Sequence, residues 1–204
     1  ITQIKNEVSQ YNLIYSTNYN RWYTQNRNSL FKIIRYSEVT QFVNSYIIPK
    51  ISSEIGTKIF NKVIFQNKKI ENFESNIGNR IYFRSAGGGY FLLIKISKSK
   101  TYINGILEDV KAEKEIIIDK QYWNEAIGAL LSSNLFYWFY LSQTDCRNLS
   151  KTFIDNFPVS LRIGKDETLK YIGLELFSDY EKNKKIKHTH YKTTGNDVIY
   201  DEYY

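Results

Sequence analysis

The sequence is poor in several residue types, and each shortage excludes a class of protein. Its one cysteine, Cys146, excludes an internal disulfide framework and any zinc site built on several thiolates, and it fits a reducing compartment. No run approaches the roughly 18 apolar residues of a membrane span, because Ser132, Ser133 and Asn134 interrupt the most apolar stretch. We therefore expect a soluble, cytoplasmic protein without a membrane partner.

Signatures of catalysis are also missing. The sequence has no Walker phosphate loop, nucleophile elbow or HExxH, and Gly87-Gly88-Gly89 lacks the spacing of a dinucleotide fingerprint. The two histidines, His188 and His190, lie in a lysine run without a third metal ligand. The residues around Cys146 do not form the local sequence motif of a catalytic nucleophile. We expect neither catalysis nor a metal site in this chain itself.

The 204 residues suit one domain, and we treat 1–204 as a single domain. Hydrophobic residues make up 42% and charged residues 24%, which is enough apolar material for a buried core. The chain has no methionine, begins at Ile1 and shows no signal pattern, so we expect a segment of a longer protein.

An excess of cations and aromatic rings points to a partner. The formal net charge is +7, aromatic residues reach 16%, and many of the tyrosines stand among Asn, Lys and Arg. Aromatic rings interleaved with cations are typical of nucleic-acid surfaces, although codon bias in an AT-rich genome produces a similar composition.

The hydrophobic pattern predicts a mixed α/β (α+β) fold with a twisted, mainly antiparallel sheet and several helices. Helical spacing favours helices on both sides of Pro49 and a weaker one over 171–180, and apolar runs favour strands over 80–84, 90–96 and 115–118. The longest helical pattern, 120–141, predicts one aromatic-rich central helix whose second half is buried nearly all round.

The first candidate binding feature is the predicted hairpin 79–90. Arg80 and Arg84 share one strand face, and Ser85, Gly88 and Tyr90 belong to or flank a glycine turn that lets another backbone come close. Arginine is suited to bidentate contacts with guanine or phosphate. The alternative is a surface hairpin with solvated arginines.

Two further features carry polar or basic side chains. The turn after the long helix presents Arg147, Asn148 and Lys151, and Arg and Asn are the residue types that read guanine and adenine edges. The alternative is a helix C-terminal turn with Asn148 in a left-handed conformation. The basic run 182–192, with Lys184, Lys185 and Lys187, would follow a phosphate backbone, or else forms a plain solvated face.

Three strings resemble a known family. They are Ala129-Leu130-Leu131-Ser132-Ser133-Asn134-Leu135-Phe136-Tyr137-Trp138-Phe139-Tyr140, then Asp145-Cys146-Arg147-Asn148-Leu149 with Ile154-Asp155-Asn156-Phe157-Pro158-Val159, and Ile81-Tyr82-Phe83-Arg84 through Gly88 and Tyr90. Together they resemble the target-recognition region, or TaqI-like specificity domain, of type II restriction-modification enzymes that are N6-adenine DNA methyltransferases. The resemblance extends from about Ile81 to Val159.

The resemblance implies sequence-specific recognition of double-stranded DNA by this segment, in a bacterial, nucleoid-associated protein. A methyltransferase domain of the same parent chain would carry an Asn-Pro-Pro-Tyr motif and bind S-adenosylmethionine, and a nuclease domain, if one is present, would use Mg. Pro49 and Pro158 are the only prolines here, so that motif is absent and the segment needs no cofactor of its own. A protein-interaction or scaffolding domain that orients restriction-modification subunits is the alternative.

Overall fold

A computed structural model describes residues 2–5, 12–20, 22–44, 47–85, 93–109 and 113–203. The helices are α1 (Leu30–Ile33), α2 (Glu54–Ile64), α3 (Asn124–Leu131), α4 (Asn134–Gln143), α5 (Lys151–Asp155) and α6 (Glu167–Asn183). The strands are β1 (Thr2–Lys5), β2 (Leu13–Ser16), β3 (Ser37–Glu38), β4 (Lys68–Lys69), β5 (Gly78–Arg84), β6 (Ile94–Lys95), β7 (Thr101–Ile103), β8 (Ile106–Glu108), β9 (Glu113–Asp119), β10 (Pro158–Val159), β11 (Lys185–Tyr191) and β12 (Asn196–Glu202).

The strands form four sheets in which neighbouring strands run antiparallel. Their orders are β1-β2-β3, β10-β4, β6-β5-β9 and β11-β12-β7-β8. Helices and antiparallel sheets together confirm the predicted α+β fold class. Among the described residues, no helix is long and apolar enough to cross a membrane.

The chain divides into two compact units. Unit 1 comprises 1–66 and 137–146, and unit 2 comprises 67–136 and 147–204. In unit 1, Phe60 of α2 stacks on Phe139 at 5.6 Å between ring centroids. In unit 2, Ile81 and Phe83 of β5 and Ile116 and Ile118 of β9 are buried together on one sheet face.

Two predicted helices around Pro49 have different outcomes. The second is confirmed as α2, where the Ser53 hydroxyl accepts a hydrogen bond from the Gly56 N–H at 3.0 Å and caps the helix. The first is wrong over the described residues 38–44, where the helical structure is limited to a 3₁₀ turn at Thr40–Phe42. Here β3 pairs with β2, and the Val39 N–H donates a hydrogen bond to the Ile14 carbonyl at 2.8 Å. The backbone of this segment therefore makes hydrogen bonds within the sheet instead of within a helix.

The single long helix predicted over 120–141 is also wrong, because α3 and α4 are separate helices. The Ser133 hydroxyl accepts from the Phe136 N–H at 3.3 Å and starts a new helix. The aromatic half is not buried all round either: Phe136, Phe139 and Tyr140 are buried, whereas Trp138 is half-buried and Leu135 is exposed.

Candidate nucleic-acid interface

The β5–β9 pair fixes the orientation of the two hairpin arginines. Alternation along β5 buries Ile81 and Phe83 and leaves Arg80 and Arg84 exposed on the opposite face, with Tyr82 between them. The predicted shared face of the arginines is therefore confirmed. Strand β6 pairs with β5 and completes the predicted hairpin, while the glycine turn, with Gly88 and Tyr90, lies outside the described residues.

The two arginines differ in their surroundings. Arg80 forms an ion pair with Glu115 on β9, with 3.2 Å between Nε and Oε2, and both side chains are about half exposed. Arg84 is the last residue of β5, and it forms no ion pair with another residue that the structure describes. Arg84 is thus the better placed of the two to contact a ligand.

The turn that carries Arg147 and Asn148 is held next to the end of β5. The Leu149 N–H donates a hydrogen bond to the Ser85 carbonyl at 3.2 Å, and the Leu149 side chain is only 2% exposed. Arg147 and Asn148 are exposed. Folding therefore brings two features that are far apart in the sequence, Arg84-Ser85 and Arg147-Asn148, to one place.

The left-handed residue of this turn is Cys146, with φ 62°, and not Asn148. The alternative role of Asn148 as the left-handed residue of a helix C-terminal turn is therefore wrong. Ser150 begins α5 and accepts from the Phe153 N–H at 3.1 Å, which fixes where the turn ends.

Lys151, the first residue of α5, lies in an ionic cluster. Its Nζ is 2.7 Å from Glu74 Oε2 and 2.8 Å from Asp155 Oδ1. Burial raises the pKa of Glu74, whose other oxygen, Oε1, is buried without a hydrogen-bond partner among the described residues. Burial also opposes the charge of Lys151, but its hydrogen bonds to Asp155 and Glu74 raise the pKa of that amine. The charge of Lys151 is therefore compensated within the chain.

An open cleft of about 590 Å³ lies beside these residues. It is lined by Tyr82, Ser85, Lys98, Asp109, Glu113, Lys114, Glu115, Ser150 and Lys151. Carboxylates, ammonium groups and hydroxyls alternate around it, so it offers both hydrogen-bond donors and acceptors. Lys98 and Lys114 belong to no recognisable sequence motif, so only the structure identifies them as site residues.

A buried ion pair stiffens one wall of the cleft. The side chains of Lys95 and Glu113 are 2% and 8% exposed, and Lys95 Nζ lies 2.7 Å from Glu113 Oε1. Lys95 also lies 5.4 Å from the ring centroid of Tyr82 and 5.2 Å from that of Tyr203. Burial lowers the pKa of Lys95, although Glu113 opposes this shift. These contacts fix the positions of Tyr82 and Glu113 at the cleft.

Part of the basic run near the C-terminus is paired with acidic residues. Strands β11 and β12 form a hairpin in which Lys187 lies 2.7 Å from Glu202, and His190 lies 2.7 Å from Asp197. Lys184 is 2.7 Å from Glu181 and 3.5 Å from Asp201. Lys185 is exposed at the start of β11. The charges of Lys184 and Lys187 are therefore compensated within the chain. The hairpin belongs to the sheet β11-β12-β7-β8, whereas β5 and β9 belong to the sheet β6-β5-β9.

The described residues contain no group of three or more His, Cys, Asp or Glu side chains that could hold a metal ion. The arrangement as a whole provides exposed arginine and asparagine side chains beside a polar cleft, which suits hydrogen bonding to a ligand with both donors and acceptors. No family model, no curated protein and no solved structure matches this chain.

Proposed function

We propose that this chain recognises a specific sequence in double-stranded DNA. The observation that carries the proposal is the hydrogen bond between the Ser85 carbonyl and the Leu149 N–H, which places Arg84 and the Arg147-Asn148 turn side by side. Arginine reads guanine and asparagine reads adenine through paired hydrogen bonds in the major groove. Two such side chains held by buried neighbours are what direct readout needs.

The remaining candidate residues support the proposal to different degrees. Lys151, Lys184 and Lys187 each have an acidic partner within the chain, so they would contact phosphates only by exchanging that partner. Arg84 has no ion pair with a described residue that it would have to exchange. We therefore assign base contacts to the Arg84 and Arg147 region, and we assign a smaller contribution to the lysines of β11.

The resemblance to TaqI-like specificity domains extends the proposal to the parent protein. A linked N6-adenine methyltransferase domain would bind S-adenosylmethionine and receive the flipped adenine, while this segment selects the site. Such a protein would work on the nucleoid in the bacterial cytoplasm.

Selection from a randomised duplex DNA pool at low salt tests the proposal. We expect the purified chain to enrich a short motif, and we expect binding of that motif to weaken steeply as salt rises. Binding without enrichment, or no binding at any salt, would overturn sequence-specific recognition by this chain.

One observation favours a protein-interaction function as the second candidate. The sheet β11-β12-β7-β8 has no buried side chain among its described strand residues, and Ile106, Leu107 and Ile186 are 61–67% exposed. Exposed apolar side chains of this kind are typical of interfaces. An apolar interface would persist at high salt, whereas DNA binding would not, so light scattering across a salt series separates the two functions.

A further inference from the structure

Unit 1 carries a second exposed surface that none of the candidate residues above belongs to. Residues Trp22 and Tyr23 lead into a 3₁₀ helix at Thr24–Ser29, which continues directly into α1. All eight residues from Trp22 to Ser29 are exposed, and Leu30 is buried at 7% exposure. We call Trp22 to Arg35 the cationic segment.

The charge of this part of the chain has one sign. From Val8 to Ser37 the sequence contains no Asp or Glu, while it contains Arg21, Arg27, Lys32 and Arg35. Arg27, Lys32 and Arg35 are exposed, and none of the ion pairs among the described residues involves them. In this they differ from Lys187 of β11, which forms an ion pair with Glu202 across the hairpin.

The neighbouring side chains narrow the type of partner. Gln25, Asn26 and Asn28 offer amides, and the rings of Trp22 and Tyr23 are 45% and 65% exposed. Amides hydrogen-bond phosphate and sugar oxygens, and most protein–DNA hydrogen bonds go to those groups. A purely apolar protein partner would leave three desolvated cations without counter-charges.

We infer that the cationic segment binds the sugar-phosphate backbone of duplex DNA. The occupant is identified by charge complementarity, since a phosphate backbone supplies the anions that this part of the chain lacks. The inference rests on the proposed DNA recognition and adds to it a contact that supplies affinity without sequence preference. In this division, the cationic segment of unit 1 contacts phosphates, and the Arg84 and Arg147 region of unit 2 contacts bases.

The test is a salt titration of DNA binding by the full 204-residue chain. The triple variant Arg27→Ala, Lys32→Ala, Arg35→Ala removes three cations, and each phosphate contact contributes about 0.9 to the slope of log affinity against log salt. When salt rises from 50 to 200 mM, we expect the wild type to lose about 40-fold more affinity than the triple variant. The affinity that the three substitutions remove should be the same on specific and on random duplexes.

Lys62→Ala is the matched control, because Lys62 is an exposed cation on α2 of the same unit and has no ion pair with a described residue. We expect it to shift the slope by less than a third of the triple variant's shift. Circular dichroism of all variants checks that the fold is retained, and a triple variant that does not fold is replaced by Arg27→Gln, tested against the same control.

The outcomes separate this inference from the proposed function. A wild-type chain that binds no DNA overturns both. A wild-type chain that selects a motif, together with a triple variant whose slope equals that of Lys62→Ala, overturns only the role of the cationic segment. A triple-variant defect confined to duplex RNA of the same sequence overturns the assignment to DNA.

Discussion

At the scale of single residues, Glu74 shows how burial and pairing compete within one site. Its Oε2 accepts a hydrogen bond from Lys151, while its Oε1 is buried and has no hydrogen-bond partner in the part of the chain that the structure describes. Burial is the largest influence on this carboxyl, and it raises the pKa above the ordinary value of 4.5 despite the attraction of Lys151. Lys151 has two carboxylate partners and Glu74 has one cation, so the amine is better compensated than the carboxyl.

The raised pKa predicts the direction of a pH effect on stability. A carboxyl that binds its proton more tightly in the folded state stabilises the fold at low pH, and this contribution is lost as pH rises from 4.5 through the folded-state pKa. We therefore expect the Glu74→Gln variant to gain stability relative to the wild type between pH 4 and pH 7. Chemical denaturation at several pH values measures this difference.

Asp155→Asn is the matched comparison, because Asp155 contacts the same lysine at 2.8 Å. If the stability of the wild type instead rises relative to that of Glu74→Gln as pH rises, the ion pair with Lys151 outweighs burial, and our account of the cluster is wrong.

At the scale of elements, α3 and α6 pack closely because a glycine of α6, Gly173, lies against the backbone of α3. A Cβ on Gly173 of α6 would lie 2.2 Å from the Glu125 carbonyl oxygen of α3, which is a backbone atom that cannot move aside alone. At Gly128 of α3 the nearest atom is 2.7 Å away on the Phe177 side chain, which has more freedom to adjust. The contact between these helices therefore depends most on Gly173.

We expect Gly173→Ala to destabilise the protein by about 1–3 kcal/mol. The added methyl group forces the two helices apart, and the cost of this overpacking outweighs the gain in helix propensity. Gly128→Ala should cost less. Ser178→Ala, at an exposed position of α6, is the control and should change stability by no more than about 0.5 kcal/mol. A Gly173→Ala protein as stable as this control would contradict the described packing.

The sequence predicts some elements and misses others for physical reasons. Short apolar runs make β5 and β9 recognisable, and helical spacing does the same for α2 and α6. The break between α3 and α4 depends on one serine hydroxyl, and apolar periodicity does not register a single cap. Local propensity therefore identifies elements but not where backbone partners interrupt them.

In the candidate site, too, local sequence patterns predict some features and contacts distant in sequence determine the others. Alternation along β5 is enough to place Arg80 and Arg84 on one face. The proximity of Ser85 to Leu149 and the pairing of Lys187 with Glu202 both depend on contacts distant in sequence, which no local pattern encodes. The sequence alone leaves the basic run 182–192 as a phosphate surface or a plain solvated face, and local sequence does not show that Lys187 and His190 pair with Glu202 and Asp197 across a hairpin.

At the scale of the whole molecule, the net charge of +7 is unevenly distributed. Unit 1 has eight Lys or Arg against four Asp or Glu, a net +4 over its 76 residues, and unit 2 has 20 against 17, a net +3 over 128 residues. Unit 1 is therefore the more cationic for its size, although the candidate base-reading side chains belong to unit 2. Affinity for phosphates and preference for a sequence should then depend on different residues.

This separation predicts opposite effects of two sets of substitutions. Arg84→Ala and Arg147→Ala should each cost about 1–3 kcal/mol on the selected motif and little on random duplex, because a lost base contact removes discrimination while phosphate contacts remain. The triple variant of the cationic segment should instead lose affinity equally on both duplexes and keep its ratio of specific to random binding. Titrations of both duplexes at one salt concentration give that ratio for every variant.

Arg162→Ala is the control for the two arginine variants, because Arg162 is an exposed arginine of unit 2 that belongs to the 3₁₀ helix Leu161–Lys165 and not to β5 or the Arg147 turn. It should leave the ratio unchanged. If Arg84→Ala and Arg147→Ala keep the ratio as Arg162→Ala does, they are not base readers, and a defect of the triple variant that falls on the selected motif alone would move sequence recognition to unit 1. Because the two roles lie on separate sets of side chains, one measured ratio decides between these assignments.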